Sequence, residues 1–394
     1  MPSSPEPYLT SKLQGFGTTI FAEMSGLAVA TNSINLGQGF PDTDGPREVL
    51  DAAIAAINSG FNQYPPGPGT PVLRHAIAAH QQRFYGLTYD PDTEVLVTTG
   101  ATEALAGALL GMLDTGDEVV VFDPMFDSYA PCIALAGAIA KSVLLRPPAY
   151  GFDPAELRAA VTSKTKLILL NTPHNPTGRV FTAEEMRTIA DVAIEHDLIV
   201  LTDEVYEHLV FDGAEHIAMA TLPGMRERTL SISSGGKTFN TTGWKVGWLC
   251  GPPAMVQAAR TAKQFLTYVS SGPFQPAIAV GLGLPDSFFG GVAADLQAKR
   301  DRLLPGLADA GFIVLPTSGT YFVTVDIRPL QPDGDGMAFC RSLPHECGVV
   351  AIPNVVLYAD KAAGRHLVRF AFCKRLDVLD EAVMRLKTLS GRAG

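Results

Sequence analysis

Short apolar runs alternate with helix-like segments through the middle of the chain. The runs are wholly or mostly apolar, which is typical of strands buried on both faces of a sheet. They cover residues 94–98, 118–122, 167–170, 198–201 and 229–233. Residues 100–110 have helical composition, and Thr182 with Glu185 forms a capping-box pattern that begins another helix. The alternation predicts an α/β fold whose large domain has a mostly parallel sheet covered by helices.

The pattern changes after about residue 280. A long helical stretch at residues 292–310 is followed by two alternating strands at 319–326 and 367–372. This order indicates a smaller α+β domain. We therefore predict an N-terminal arm and part of the small domain at 1–45, the large domain at 46–280, and the rest of the small domain at 281–394.

Charge and cysteine usage narrow the functional classes. The net charge of -10 and the lack of a basic stripe argue against binding to nucleic acid. No apolar run approaches the length of about 20 residues that a membrane span needs. The five cysteines are scattered without a C-x-x-C pair, which argues against a disulfide framework or a zinc site. No signal peptide is recognisable, so we expect a cytoplasmic protein.

The stretch at residues 231–248 is the most informative part of the sequence. It places Lys237 in a tight turn rich in glycine and serine, directly after an apolar run, and Lys245 follows eight residues later. Small residues let the backbone close around a phosphate, and a neighbouring cation lowers the pKa of the amine. A lysine in this setting suits a Schiff base to an aldehyde cofactor, which favours pyridoxal phosphate.

Other candidate residues also follow predicted strands. Gly100, Asn171, Asp203 and Lys237 each come after a different strand, and ligands of parallel sheets bind beyond the carboxyl ends of the strands. Asp203 could be a helix cap, a magnesium ligand or the partner of a protonated pyridine nitrogen. Beside Lys237 we favour the last role, with Tyr206 reaching the adjacent phenolate oxygen of the ring.

Several positions have both a structural and a functional interpretation. Asn175, in the turn at 175–178, is either part of a surface loop or a donor to a ligand oxygen. Gly100, Ala101 and Thr102 open a helix and could bind a phosphate through their amides. Phe126 is either a core residue or a stacking partner for an aromatic ring. Arg369 lies in an apolar strand, so it needs a structural carboxylate or the carboxylate of a substrate.

A P-loop is a competing interpretation of residues 231–238. The last three residues of a P-loop pattern are matched by Gly236, Lys237 and Thr238, and residues 198–204 resemble a Walker B strand. The P-loop pattern, however, requires glycine where this chain has Ser231. The strand also precedes the loop, so we reject this interpretation.

Taken together, these residues resemble the class I/II, fold type I, pyridoxal-phosphate-dependent aminotransferases. The resemblance covers nearly the entire chain and is carried by residues 35–42, 62–65, 203–211, 242–248 and 367–374. Within that family the chain is similar to the kynurenine/glutamine transaminases and, more closely, to actinobacterial N-succinyldiaminopimelate aminotransferases.

The resemblance implies a role for each candidate residue. Lys237 forms the Schiff base, Asp203 pairs with the pyridine nitrogen, and Asn175 and Tyr206 bind the ring hydroxyl, while Phe126 stacks on the ring. The phosphate is held by Gly100, Ala101, Thr102, Ser234, Lys245 and, from a second subunit, Tyr64. Arg369 binds the α-carboxylate of the substrate, with Gly37 and Asn175 lining the same pocket. A homodimer is implied, since Tyr64 must reach across an interface.

Two departures from the kynurenine-type pattern bear on the substrate. Thr102 stands where those enzymes have a tyrosine, and Ser270 and Ser271 replace an aromatic-histidine pair. Both changes remove aromatic surface from the substrate pocket and leave more room, which favours a longer, flexible amino donor. We expect transfer from N-succinyl-LL-2,6-diaminopimelate to 2-oxoglutarate, in lysine biosynthesis. The alternatives are a kynurenine/glutamine transaminase with cysteine-S-conjugate β-lyase activity and, more remotely, a non-catalytic sensor.

Overall fold

The structure of the chain is a computed structural model that describes residues 8–17 and 19–392. Its helices are α1 (Ile20–Ala30), α2 (Arg47–Asn58), α3 (Pro71–Tyr85), α4 (Gly100–Met112), α5 (Tyr129–Ala136), α6 (Pro154–Ala160), α7 (Ala183–Glu195), α8 (Gly235–Thr238), α9 (Pro253–Lys263), α10 (Phe274–Leu282), α11 (Asp286–Asp309), α12 (Gly336–Cys347), α13 (Lys361–Gly364) and α14 (Leu376–Leu386). Its strands are β1 (Ile34–Asn35), β2 (Val95–Thr99), β3 (Glu118–Asp123), β4 (Ile139–Leu144), β5 (Thr165–Asn171), β6 (Ile199–Asp203), β7 (Thr229–Ser234), β8 (Val246–Cys250), β9 (Ile313–Val314), β10 (Phe322–Asp326), β11 (Val349–Val350), β12 (Ile352–Pro353) and β13 (Leu367–Ala371).

Seven strands form the central sheet in the order β2-β8-β7-β6-β5-β3-β4. Strand β8 is antiparallel to both of its neighbours, and the other neighbouring pairs are parallel. The five predicted strands are all present, and the predicted capping box of Thr182 and Glu185 begins α7. The predicted α/β fold with a mostly parallel sheet is confirmed.

Successive side chains of the central strands pack on opposite faces of the sheet. Val119 and Val121 of β3 belong to a core shared with α4, α5 and α9. Val120 and Phe122 belong to a second core shared with α6 and α7. Because both faces are covered, these strands read as continuous apolar runs, which is why the sequence reveals them.

Strands β4 and β8 were not predicted. Strand β4 lies at the edge of the sheet, and its Lys141 is paired with Glu118 at 3.2 Å, so it lacks a continuous apolar pattern. Strand β8 follows the glycine- and threonine-rich stretch after Lys237. Since β8 runs opposite to its neighbours, its first residue lies at the edge where they end, with Val246 opposite Thr99. Lys245 is thereby brought to the same edge as Gly100.

A second sheet, β12-β13-β10-β9, is antiparallel and shares a core with α1, α11, α12 and α14. Strand β10 begins at Phe322, later than predicted, because Thr320 has a left-handed φ of 65° that interrupts extended backbone. Helix α11 begins at Asp286, earlier than predicted. The predicted boundary at 280/281 falls inside α10, and the division into domains stays a prediction.

Within the described part of the chain, no helix by itself has the length and apolar character to cross a membrane. The bent pair α10 and α11 passes that test when the two helices are taken together.

Candidate active site

A cavity of about 430 Å³ opens where the parallel strands of the central sheet end. Arg369, on β13 of the second sheet, also lines it, so the cavity lies between the two sheets. The other predicted residues that line it are Gly100, Ala101, Thr102, Phe126, Asn175, Asp203, Tyr206, Ser234, Lys237 and Lys245. The structure therefore brings together residues from most of the length of the chain.

Lys237 lies in the short helix α8, directly after β7. Its Nζ donates a hydrogen bond to the hydroxyl of Tyr321 at 3.0 Å, and that hydroxyl donates its own proton to the carbonyl of Gly39 at 2.6 Å. Because Tyr321 has only one proton to give, it acts as an acceptor toward the lysine. The lone pair of a neutral Lys237 amine is therefore not used by Tyr321 and remains available to the cavity.

The pKa of the Lys237 amine is lowered to about 8, mainly by burial. Arg369 and Lys245 lower this pKa further, whereas Asp203 opposes the change. The predicted influence of Lys245 on the amine is thus confirmed in direction, although burial outweighs it.

Lys245 lies beside the start of α4, and the two together are a candidate anion site. Among the described residues Lys245 has no ion-pair partner. A Cβ atom at Gly100 would lie 3.2 Å from its Nζ, so glycine keeps the space next to the amine open. The first residues of α4, Gly100 to Thr102, and Ser234 line the same cavity. A helix N-terminus next to an unpaired cation suits a phosphate.

Asp203 ends β6 and lines the cavity. The hydroxyl of Tyr129 donates to its Oδ2 at 2.8 Å, and Asn171 donates to its backbone carbonyl at 2.8 Å. Burial raises the pKa of Asp203, while the bond from Tyr129 and the charge of Lys237 oppose that rise. No lysine or arginine of the described chain is ion-paired with Asp203, so a cation entering the cavity would stabilise the carboxylate.

Arg369 is fully buried and has no carboxylate partner in the part of the chain that the structure describes. It donates to Asn175 Oδ1 and to the Gly37 carbonyl, both at 2.9 Å, and its guanidinium carbon lies 3.9 Å from the centre of the Phe322 ring. Its Nε makes no hydrogen bond to a described residue. Burial lowers the pKa of Arg369 to about 10, so it stays cationic at neutral pH. The alternative of a structural carboxylate is not supported.

Asn175 is oriented by its neighbours. Its backbone N–H donates to Asn171 Oδ1 at 2.7 Å, and its own Oδ1 is occupied by Arg369. The side-chain NH₂ of Asn175 makes no hydrogen bond to the described residues, which leaves it available as a donor to a ligand. Gly37 does not line the cavity itself, but its carbonyl holds Arg369.

The two aromatic candidates pack against different tyrosine rings. Tyr206 is buried and packs edge-on against Tyr321 at 5.2 Å between ring centres. Phe126 is half-buried and contacts the ring of Tyr129 at 5.7 Å. Both line the cavity, and their contacts with a cofactor ring stay predictions.

Tyr64 does not line this cavity. It is 81% exposed and lies in a separate surface hollow formed by residues 62–65 and 269–273. Ser270 and Ser271 belong to that hollow as well. Of the two departures expected to widen the substrate pocket, only Thr102 lies in the cavity of its own chain.

The sequence did not point to Tyr321, Tyr129 or Asp127. Tyr321 holds Lys237 and Tyr129 holds Asp203, but each partner is more than 70 positions away in the chain. Asp127 lines the cavity near Arg369, and burial raises its pKa. It lies next to Phe126, in a segment that the sequence had singled out only for the aromatic ring.

Known proteins resemble this chain over almost its whole length. The sequence profile described as aminotransferase class I and II matches residues 31–386. A Mycobacterium tuberculosis protein described as a "Probable N-succinyldiaminopimelate aminotransferase" is 51% identical, over 97% of this chain and 98% of that protein. An Escherichia coli methionine aminotransferase is 40% identical over 96% of this chain and 98% of that protein.

Solved structures agree with these matches. The structure of N-succinyldiaminopimelate aminotransferase from M. tuberculosis superposes with a TM-score of 0.94, at 51% identity, covering 97% of this chain and all (100%) of that one. That of a methionine aminotransferase from E. coli superposes with a TM-score of 0.93, at 40% identity, covering 97% of this chain and 100% of that one.

Proposed function

Because this chain belongs to the class I and II aminotransferases, we propose that it uses pyridoxal phosphate to move an amino group from N-succinyl-LL-2,6-diaminopimelate to 2-oxoglutarate. The observation that carries the cofactor is the set of charged groups in one cavity, Lys237, Lys245, Asp203 and Arg369. None of them is ion-paired with a described residue. The 51% identity to the M. tuberculosis protein supports the donor. With this donor the enzyme serves lysine biosynthesis, and we expect it in the cytoplasm.

The residues of the cavity fit pyridoxal phosphate. Lys237 would hold its aldehyde, and Asp203 would pair with its ring nitrogen. Asn175 and Tyr206 would bind the ring hydroxyl, and Phe126 would cover the ring. The anion site at the start of α4 would hold the phosphate, through Gly100, Ala101, Thr102, Ser234 and Lys245. When bound, this cofactor withdraws electrons from the α-carbon of an attached amino acid.

The residues of the chain account for substrate binding and proton transfer. Arg369 binds the α-carboxylate of the donor, because it is a buried cation whose Nε has no partner among the described residues. Asn175 and Gly37 hold its guanidinium in place by accepting from the other two nitrogens. Lys237, whose pKa is lowered to about 8, takes the proton from the α-carbon. Tyr321 orients the amine for this step by accepting one of its N–H groups.

We propose a homodimer in which Tyr64 of the partner subunit completes the phosphate site. Tyr64 is exposed and lies outside the cavity of its own chain, beside the exposed Tyr268 at 5.5 Å between ring centres. Mixed dimers test the proposal. Lys237→Ala and Tyr64→Ala chains, refolded together, should regain cofactor-dependent activity in half of the sites of each mixed dimer. If mixing restores no activity, the shared site is refuted.

The donor is tested by a single-turnover screen on the cofactor-loaded protein. N-succinyl-LL-2,6-diaminopimelate, kynurenine, glutamine and methionine are each mixed with the protein, and the loss of visible absorbance is followed. We expect N-succinyl-LL-2,6-diaminopimelate to react with the highest kcat/KM, and 2-oxoglutarate to restore the absorbance. A higher value for methionine or kynurenine would reject this donor but not the aminotransferase.

Relatives at 36% to 40% identity keep a second function open. They are described as methionine and kynurenine aminotransferases, and the residues proposed here would also serve a kynurenine/glutamine transaminase with cysteine-S-conjugate β-lyase activity. Release of pyruvate and ammonia without an oxoacid acceptor would support the lyase.

A further inference from the structure

A buried group of histidine and carboxylate side chains lies next to the segment that carries Asp203 and Tyr206. His80 comes from α3, and Glu207 and His208 directly follow Tyr206. One ligand atom from each of the three lies within 4.8 Å of the other two. The Nε2 atoms of His80 and His208 are only 2.7 Å apart. Because residues 80 and 207 are distant in the chain, their spacing gave no sign of this cluster.

The cluster has a second buried carboxylate, Glu204, close to Glu207 in the chain. Glu207 and the adjacent Glu204 are only 4% and 2% exposed. His216 Nε2 lies 3.5 Å from a carboxylate oxygen of Glu204, and in the described part of the chain no lysine or arginine is ion-paired with either carboxylate. A buried carboxylate is costly unless a cation or several hydrogen bonds compensate it. Hydrogen bonds hold Glu207, and a cation bound beside it would compensate the carboxylates further.

The hydrogen bonds around the cluster hold the Glu207 carboxylate, join His80 to His208, and leave His80 Nδ1 without a partner among the described residues. Glu207 accepts from Ser233 Oγ at 2.5 Å and from the Tyr85 hydroxyl at 2.7 Å. Such bonds are the kind that orient a metal-binding carboxylate. His80 Nδ1 and both ring nitrogens of His216 are buried and make no hydrogen bond to the described residues.

We propose that His80, Glu207 and His208 bind one zinc ion, with water completing the coordination. Two imidazoles and a carboxylate form a ligand set that zinc accepts, with ligand atoms about 3.3 Å apart in tetrahedral geometry. The two rings need to separate by about half an ångström from their 2.7 Å contact, and any ligand pair near the 4.8 Å limit must contract to about 3.3 Å. The scattered cysteines argued against zinc, but this site uses none of them. The ion would fasten the chain directly after Tyr206 to α3.

Zinc binding by the tag-free, cofactor-loaded protein tests this proposal. The protein is incubated with zinc sulfate and desalted, and its metal content is measured by mass spectrometry. We expect one zinc per chain. His80→Gln and His208→Gln should each weaken zinc binding at least about 100-fold, and Ser233→Ala about 10-fold. His75→Gln, which changes an exposed histidine of the same helix, is the matched control and should leave binding unchanged.

Two results would overturn the site. One is wild-type protein that retains no zinc, in which case His80 and His208 are only a hydrogen-bonded pair. The other is zinc content that His80→Gln and His208→Gln do not alter. If these variants fail to fold, the cobalt(II) spectrum of the wild type decides. Intense visible bands of four-coordinate cobalt support the site, and the weak bands of six-coordinate cobalt refute it.

Discussion

Replacement of Lys237 by methionine should stabilise the protein once its cofactor has been removed. Methionine has a similar length and no charge, so it removes the cost of burying an ammonium group. The pKa of this amine is about 8, against 10.5 for an ordinary lysine, which corresponds to about 3 kcal/mol. The variant also loses the hydrogen bond to Tyr321, worth about 1 kcal/mol. At pH 7 we expect a net gain of about 2 kcal/mol in the free energy of unfolding.

The gain in the free energy of unfolding must decrease as the pH rises. Because the pKa is lower in the folded than in the unfolded protein, the wild type bears the full cost below pH 8. The cost falls as the pH rises and disappears above the ordinary lysine pKa of 10.5. The advantage of Lys237→Met should therefore shrink to less than about 1 kcal/mol at pH 9.5.

Urea unfolding at a fixed protein concentration measures both quantities. The fluorescence of the two tryptophans, one of which is the buried Trp248, reports the transition. Lys166→Met, which changes an exposed lysine, is the control and should shift stability by less than about 0.5 kcal/mol. An unchanged difference from pH 7 to pH 9.5, or a less stable Lys237→Met protein at pH 7, would show that burial does not strain this lysine.

Three further substitutions test the remaining parts of the site. Arg369→Lys keeps the positive charge but loses the planar guanidinium, so kcat/KM for the amino donor should fall by about 30- to 100-fold. An unchanged value would mean that the α-carboxylate of the donor binds elsewhere. Tyr321→Phe keeps the ring and removes the acceptor for Lys237, so kcat should fall by about 10-fold with little change in KM for the donor; an equal rise in KM contradicts an orienting role. Asp203→Asn removes the negative charge opposite the proposed ring nitrogen, so kcat should fall by at least about 100-fold; full activity with the amide refutes that pairing.

The sequence predicted those parts of the fold that follow from burial. Strands such as β3 are covered on both faces and read as apolar runs, whereas the edge strand β4 carries Lys141 and does not. The antiparallel strand β8 was missed for another reason. Its place between β2 and β7 is set by tertiary contacts that its own residues do not reveal. The order of strands and the exact start of β10 depend on contacts and backbone angles that no local pattern contains.

The residues of the site divide in the same way. Lys237, Asp203 and Gly100 were found because each follows a strand end, and parallel strands end at one edge. Tyr321 and Tyr129 were missed because each acts through one hydrogen bond to a residue far away in the sequence. The structure was also needed to rank the causes of the lowered pKa of Lys237. The spacing indicated Lys245, but burial contributes more to its lowered pKa.

The unpaired charges of the cavity lower the stability of the ligand-free protein, and the same charges are suited to binding a ligand. Lys245, Arg369 and Asp203 face one cavity without ion-pair partners among the described residues, and burial shifts the pKa of Arg369 and Asp203 toward their neutral forms. A phosphate, a carboxylate and a protonated ring nitrogen would each compensate one of these charges. Ligand binding should therefore stabilise the protein more than its contact area alone suggests, because it removes a cost already present in the folded chain. The same reasoning applies to Lys237, whose loss should stabilise the cofactor-free protein and, under the proposed function, abolish catalysis.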